Sequence, residues 1–459
     1  MVDRVGLRRF QSHLSAATDT NIPTVGQKHF IKDCVDGVEY KRITDKWVIR
    51  DDPNTICLTI SAGTDGGSVN KSNSKSINPL FFWINEIGLK HRFSYPLTSL
   101  AAYANHKIPY QILLSKFIDE LNELDKGLTI VTKGGCKFFL KVRLFQMIVD
   151  LVAAKDLLQI NGHSGLCGCR WCLHTGEKKG ENTGVLYCVG NSSCNSGVNR
   201  VWNNMMPQFC KLQKNEISSF DGVIGISILL KLSYFRWTTQ VACDILHNLL
   251  EGLCKKILKN ICSLYKTLIP SIDERIKLIE TPSMYHREIR SLNEAAKFKA
   301  IEYYMLFAYC KDVFKNIISE NHFNILKSVE TFIGLIMNPS EKSEQAKASL
   351  LQMAFNLLRS VEIEFGEEDI TMASHTVLHF PLSIWNLGPL YTNSTFMLED
   401  LMGSLTSSIY GGKANMDHKA LENWSIHQMT SLKRVRQFTF QYEHGLYLFF
   451  SKVADTHNV

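Results

Sequence analysis

The stretch from Asp150 to Cys172 constrains this chain more than any other. An apolar run, Phe138 to Val149, reads as a buried strand and delivers an acid, Asp150, at its end. A glycine-rich turn then carries Cys169-x-x-Cys172. Two thiolates on a tight turn can face one tetrahedral zinc, but they make only half a site, so the other two ligands must come from elsewhere. Ser374-His375-Thr-Val-Leu-His379 supplies candidates, because histidines four apart on a helix present both imidazoles on one face. Taken alone, such a histidine pair reads equally as two packed side chains near a core, and the cysteines as a redox dithiol or buried thiols. Cys167 is an alternative to Cys169 as a ligand.

With 459 residues, 45% hydrophobic and 21% charged, the chain is expected to be folded almost throughout, with a large core and two or more lobes. A net charge of +7 is compatible with nucleic acid without arguing for it. Thirteen cysteines, an odd count, and an N-terminus without an apolar segment point to reduced or metal-bound thiols rather than a disulfide framework. No apolar run has the length of a membrane span; the best, Val223 to Leu230, stops at Lys231.

Five segments divide the chain. Residues 1–50 read as a lead-in without a sustained period, and 51–172 as the first part of a sheet-containing core. Ile56 to Ser61 reads as a strand emptying into Gly63-Thr-Asp65-Gly-Gly67, so Asp65 sits just past a strand end. Leu80 to Ile84, Pro96 to Ala104 and Leu128 to Val131 read as further strands. Pro109 to Leu124 reads as an amphipathic helix with Leu113, Phe117, Leu121 and Leu124 on one face. Residues 173–370 read as a loop, Glu177 to Asn204, and then a mainly helical insertion. Residues 371–412 hold the histidine pair and a third acid, Glu399, and 413–459 a polar tail with a Lys433-Arg434-Val-Arg436 cluster. Glu399 follows His379 at about the distance at which Cys169 follows Asp150, so a zinc joining the two pairs would also bring the two acids together. With Asp65 they make three hard oxygen ligands, the set that holds two Mg²⁺ ions for phosphodiester chemistry. Asp244-x-x-His247 reads either as a polar pair fixing the insertion against the core or as part of a site.

From about Asp36 to Gly412 the chain resembles transposases of the CACTA (En/Spm) type, in particular their animal relatives. Thr64-Asp65-Gly66 looks like the family's first catalytic acid, Asp150 its second, and Gly168-Cys169-x-x-Cys172-Leu its cysteine pair. Asp244-x-x-His247-x-x-Leu250-Glu-Gly252 resembles its insertion helix. Arg290-Ser-Leu, Phe298-Lys-Ala300-x-Glu302-Tyr303, Gly388-Pro-Leu-Tyr391 and Phe396-x-Leu398-Glu399 are similar to its later landmarks. Met402 stands where the family pattern has an asparagine.

The resemblance implies an α/β (α+β) fold: an RNase H-like DDE core interrupted by a large, mainly helical insertion, with a C2H2 zinc clip. It implies Asp65, Asp150 and Glu399 as catalytic acids binding Mg²⁺ or Mn²⁺, and structural Zn²⁺ on Cys169, Cys172, His375 and His379. The implied partners are double-stranded transposon ends and further copies of the chain, acting in the nucleus with no membrane involved. Two other readings compete: a transposon-derived DNA- or protein-binding module without cleavage, and a purely structural zinc protein that leaves the acids as coincidence.

Overall fold

The computed structural model describes residues 29–407 apart from short internal segments, the longest being 69–75 and 191–197, together with residues 422, 424 and 425. The basic cluster at Lys433 to Arg436, most of the expected tail, Cys194 and the first 28 residues lie outside the described residues.

The fold is mixed α/β, built on a mixed sheet. Its main strands are β1 (Thr55–Thr64), β2 (Ser76–Ile84), β3 (Thr98–Ala104), β4 (Leu128–Val131) and β5 (Lys137–Ile148), in the spatial order β3–β2–β1–β5–β4. The first three run antiparallel to their neighbours, β5 joins β1 in parallel, and β4 returns antiparallel onto the start of β5. Near the end of β5 the same edge is taken by a parallel bridge from Met147 to Val241. Burial along β5 alternates over its first half and then becomes continuous from Leu144 to Ile148. Continuous burial is the signature of a strand covered on both faces. The covered end is the one that leads to Asp150.

Apolar side chains collect in two cores. One holds the sheet, the helix α1 (Val38–Thr44) and the helices α2 (Tyr110–Leu113) and α3 (Ser115–Lys126), whose Leu113, Phe117, Ile118 and Leu121 are buried. The expected single helix from Pro109 is thus two, interrupted at Leu114. The segment read as a lead-in contributes Cys34, Tyr40 and Ile43 to this core, a pattern too short to register as a period. Asp150 does more than end a strand: its carboxylate caps α4 (Leu151–Leu158) by accepting from the Ala153 amide at 2.6 Å.

The second core is helical. It contains α6, wound as a π-helix over Leu246–Cys254 and continuing as an α-helix over Lys255–Leu264, with α7 (Glu320–Ile336) and α8 (Glu344–Phe365). The chain changes cores more often than its periodicity suggests. Cys169 to Val189 packs in the helical core, and the expected loop there forms a small hairpin, Glu177–Lys178 with Val185–Leu186, whose next residue Tyr187 donates its amide to Ile370 O. Helix α5 (Trp202–Gln213), the Leu229 turn and Trp237 return to the sheet core. Among the described residues no helix is long and apolar enough to cross a membrane.

Candidate active site and metal centre

β1 and β5 are adjacent and parallel, and beyond a register shift at Ile60/Ser61 Gly63 lies opposite Ile148. Asp65 and Asp150 each lie two residues beyond that pair, so both acids leave the same end of the sheet at the same level. The third acid arrives from the other end of the sequence. Glu399 stands in the first turn of α11 (Phe396–Ser407), and Leu398 beside it is fully buried against Gly63. A Cβ at Gly63 would lie 2.7 and 2.9 Å from the Leu398 methyls and 3.0 Å from Ile148 O, so only glycine lets α11 come down onto the strand. The Gly63→Ala protein is therefore expected to be destabilised by about 1–3 kcal/mol. Denaturant unfolding of the two proteins checks it. Met402 packs into the sheet core.

The charges of these residues act on one another. Burial raises the Asp65 carboxyl to about 6, with the His247 cation opposing and Asp150 and Asp244 reinforcing the rise. Burial likewise raises Glu399, again opposed by His247 and reinforced by Asp65. His247 goes the other way: burial disfavours its cation, but its hydrogen bond to Asp244 and the charges of Asp244, Asp150 and Asp65 outweigh that and lift it to about 9. One imidazolium thus faces a patch of acids.

The Asp244–His247 pair ties α6 to α11 and stands beside the candidate acids. Asp244, 1% exposed, accepts from the Thr395 amide at 3.1 Å, which ties the start of α11 to the start of α6. Its other oxygen lies 2.7 Å from His247 Nδ1. That contact places the Nδ1 proton toward Asp244 and turns Nε2 to the acids, 3.9 Å from Glu399 Oε1. A π-wound segment is uncommon and recurs at functional positions, and here it carries His247. Sequence spacing could place this pair on a helix but not aim it.

The second constellation lies in the helical core. The histidine segment begins as α9 (Met372–His375) and tightens into a 3₁₀ turn, Thr376–His379, before α10 (Phe380–Leu387). His375 and His379 still face one side, and their Nε2 atoms lie 3.2 Å apart. Cys172 Sγ is 3.2 Å from His375 Nε2, and Cys169 Sγ is 3.3 Å from His379 Nε2. All four residues are buried, and their donor atoms lie within 4.8 Å of one another. A tetrahedral ion with bonds of roughly 2.0–2.3 Å needs donors about 3.3–3.8 Å apart. The four therefore form a group that could hold a metal.

The cysteine loop is braced from behind. Arg200 donates to Cys169 O at 2.8 Å and to Cys167 O at 3.1 Å, and Trp171 stacks on His379 with ring centroids 5.3 Å apart. Burial pushes the Cys169 thiol up, but Cys172 and the two imidazoles outweigh it and hold the thiol well below its ordinary range. The thiolate is the form that binds metal. Cys167, the alternative ligand, lies outside the group.

No protein-family model matches the chain, and no curated protein matches it.

Proposed function

We propose that this chain is a transposase-like DNA-processing enzyme of the CACTA (En/Spm) type, or a domesticated descendant of one, that hydrolyses DNA phosphodiesters and then joins strands. What supports the reading is that Asp65 and Asp150 leave the same end of the sheet and that the charge of Asp65 acts on Glu399, from strands and a helix far apart in sequence, while the oxygens of the three acids are not all within 4.8 Å of one another. Carboxylates gathered in this way repel one another, and a cation that compensates them gives such a cluster a reason to exist. Three antiparallel strands, and a later strand that joins the first in parallel and leads to the second acid, support an RNase H-like core, to which β4 adds an extra antiparallel strand. The helical lobe between Asp150 and Glu399 supports a DDE core with an insertion.

In this reading the three carboxylates hold Mg²⁺ or Mn²⁺, which when bound lowers the pKa of the attacking water or 3′-hydroxyl and neutralises charge at the leaving oxygen. The chain's own residues do the rest. Asp65 and Asp150 are fixed by the sheet, and Glu399 is brought to them by Leu398 on Gly63 and by Asp244 on the Thr395 amide. His247, held cationic by Asp244, offers an Nε2 proton on the acid side, where it can donate to a phosphate oxygen. Zn²⁺ is the ion that suits two thiolates and two imidazoles in a closed, buried site, and there it would be structural. The substrate is double-stranded DNA at transposon ends, engaged in the nucleus by a homo-oligomer.

The deciding experiment is a nicking assay on matched terminal-repeat DNA with Mg²⁺ or Mn²⁺, with a chelator as control. Divalent-dependent nicking supports the enzyme. Binding of the same DNA without nicking leaves a binding module in its place.

A further inference from the structure

Each acid is preceded by buried polar side chains on its own element or on the segment leading into it, and one from each place joins the others through Gln146. On β1 it is Ser61, four residues before Asp65; on β5 it is Gln146, four residues before Asp150; before α11 it is Asn393. All three are 0% exposed. Gln146 Nε2 donates to Ser61 Oγ at 3.0 Å and to Asn393 Oδ1 at 2.6 Å. Asn393 is held at its other end as well, with Nδ2 donating to Leu387 O at 3.1 Å and to Gly388 O at 3.2 Å.

The backbone is adjusted to make this junction. The β1–β5 register slips between Ile60 and Ser61: Ile60 pairs with Leu144, whereas Ser61 pairs with Gln146, so Phe145 is bulged out of the ladder. A bulge re-aims the side chains beyond it. Without it Ser61 and Gln146 would not be opposite each other, nor would Asp65 and Asp150 leave the sheet level.

Gln146 Nε2, the Ser61 hydroxyl, which also donates to Asn85 Oδ1, and both ends of Asn393 are partnered, while Gln146 Oε1 is buried without a partner; the directional bonds that are made favour one geometry over near alternatives. Leu398 on Gly63 holds α11 against the sheet by contact, which resists separation but permits sliding. The directional bonds of Asn393 and Gln146 do not permit it.

Resting on the acid-site reading above, we infer that Ser61, Gln146 and Asn393 form a buried latch that sets the position of Glu399 relative to Asp65 and Asp150 and so the divalent affinity of the acid site. These are positioning residues: none is among the acids themselves.

The test is Mn²⁺ titration of the full chain followed by electron paramagnetic resonance, with the acid-site ion defined as the one lost in Asp150→Asn. Asn393→Ala and Gln146→Met are expected to weaken that ion by about tenfold or more, since small displacements of positioned groups have effects of this size or larger. The metal concentration for half-maximal cleavage should rise in parallel, the content of the Cys–His centre should stay unchanged, and the double variant should be little worse than the worse single one. Ser61→Ala serves if either variant fails to fold. Lower melting temperatures with wild-type Mn²⁺ affinity would make the three merely structural and overturn the latch while the acid site stands. If the wild-type protein itself binds no Mn²⁺ that depends on Asp150, the acid-site reading fails and the latch falls with it.

Discussion

The Asp150→Asn protein is expected to lose divalent-dependent DNA cleavage by about a thousandfold or more, because a ligand shared by the reacting groups acts only as part of the set. Asparagine is the informative replacement. Asp150 also caps α4 through the Ala153 amide, and alanine would remove that cap at a cost of about 1 kcal/mol. Asn keeps an oxygen for the cap and removes only the charge. Removing the charge relieves repulsion with Asp65 and forfeits attraction to His247, so the stability of the metal-free fold should change little while cleavage disappears. A variant that gained or kept stability and lost activity would mark Asp150 as a functional acid. Cleavage by Asp150→Asn at the wild-type rate would sink the assignment of all three acids.

The second large effect concerns the Cys–His group. Replacing Cys172 with Ser is expected to lower bound zinc from one equivalent to a small fraction and to remove a large part of the stabilisation, on the order of 10 kcal/mol, that a structural zinc supplies in favourable cases. The loss is large here because all four donors are buried with one another as neighbours, so a vacated position leaves polar groups without water to replace the ion. The site also closes a long loop, joining residues 169–172 to 375–379, and without it the ordering of the intervening helices is opposed by more chain entropy. Metal analysis with denaturant unfolding measures both consequences. Full zinc content together with an unchanged unfolding midpoint would remove the metal from the account.

Much of the candidate site is legible in the sequence because its chemistry is local. Asp65 after a β-branched run, Asp150 after an apolar one, Cys169 and Cys172 on a glycine turn and the His375–His379 spacing each follow from a short pattern. The boundary between the cores was harder to read. Helix α5 looks like any amphipathic helix, and nothing in its period says that Met205 and Phe209 turn toward the sheet rather than toward the helical lobe. The role of Asp244 and His247 depended on Thr395 and Glu399 arriving from about 150 residues away. Gln146 left a readable trace, a lone amide in the apolar run Phe138 to Val149, but its partner Asn393 did not. Asparagine beside Thr392, Ser394 and Thr395 reads as loop chemistry, and only the folded turn after α10, where Asn393 is held by Leu387 O and Gly388 O, brings its side chain to Gln146.

The placement of Glu399 has a consequence for how the protein is made. Asp65 and Asp150 are set by one parallel strand pair that can form early in synthesis, but the third acid is among the last of the described residues to be translated. At roughly 5–20 residues per second the ribosome needs tens of seconds or less to pass from one to the other. Throughout that interval the nascent chain carries two acids without the helix that completes the set. If the proposed cleavage needs all three acids, it would stay silent on the ribosome until the insertion has folded and α11 has docked.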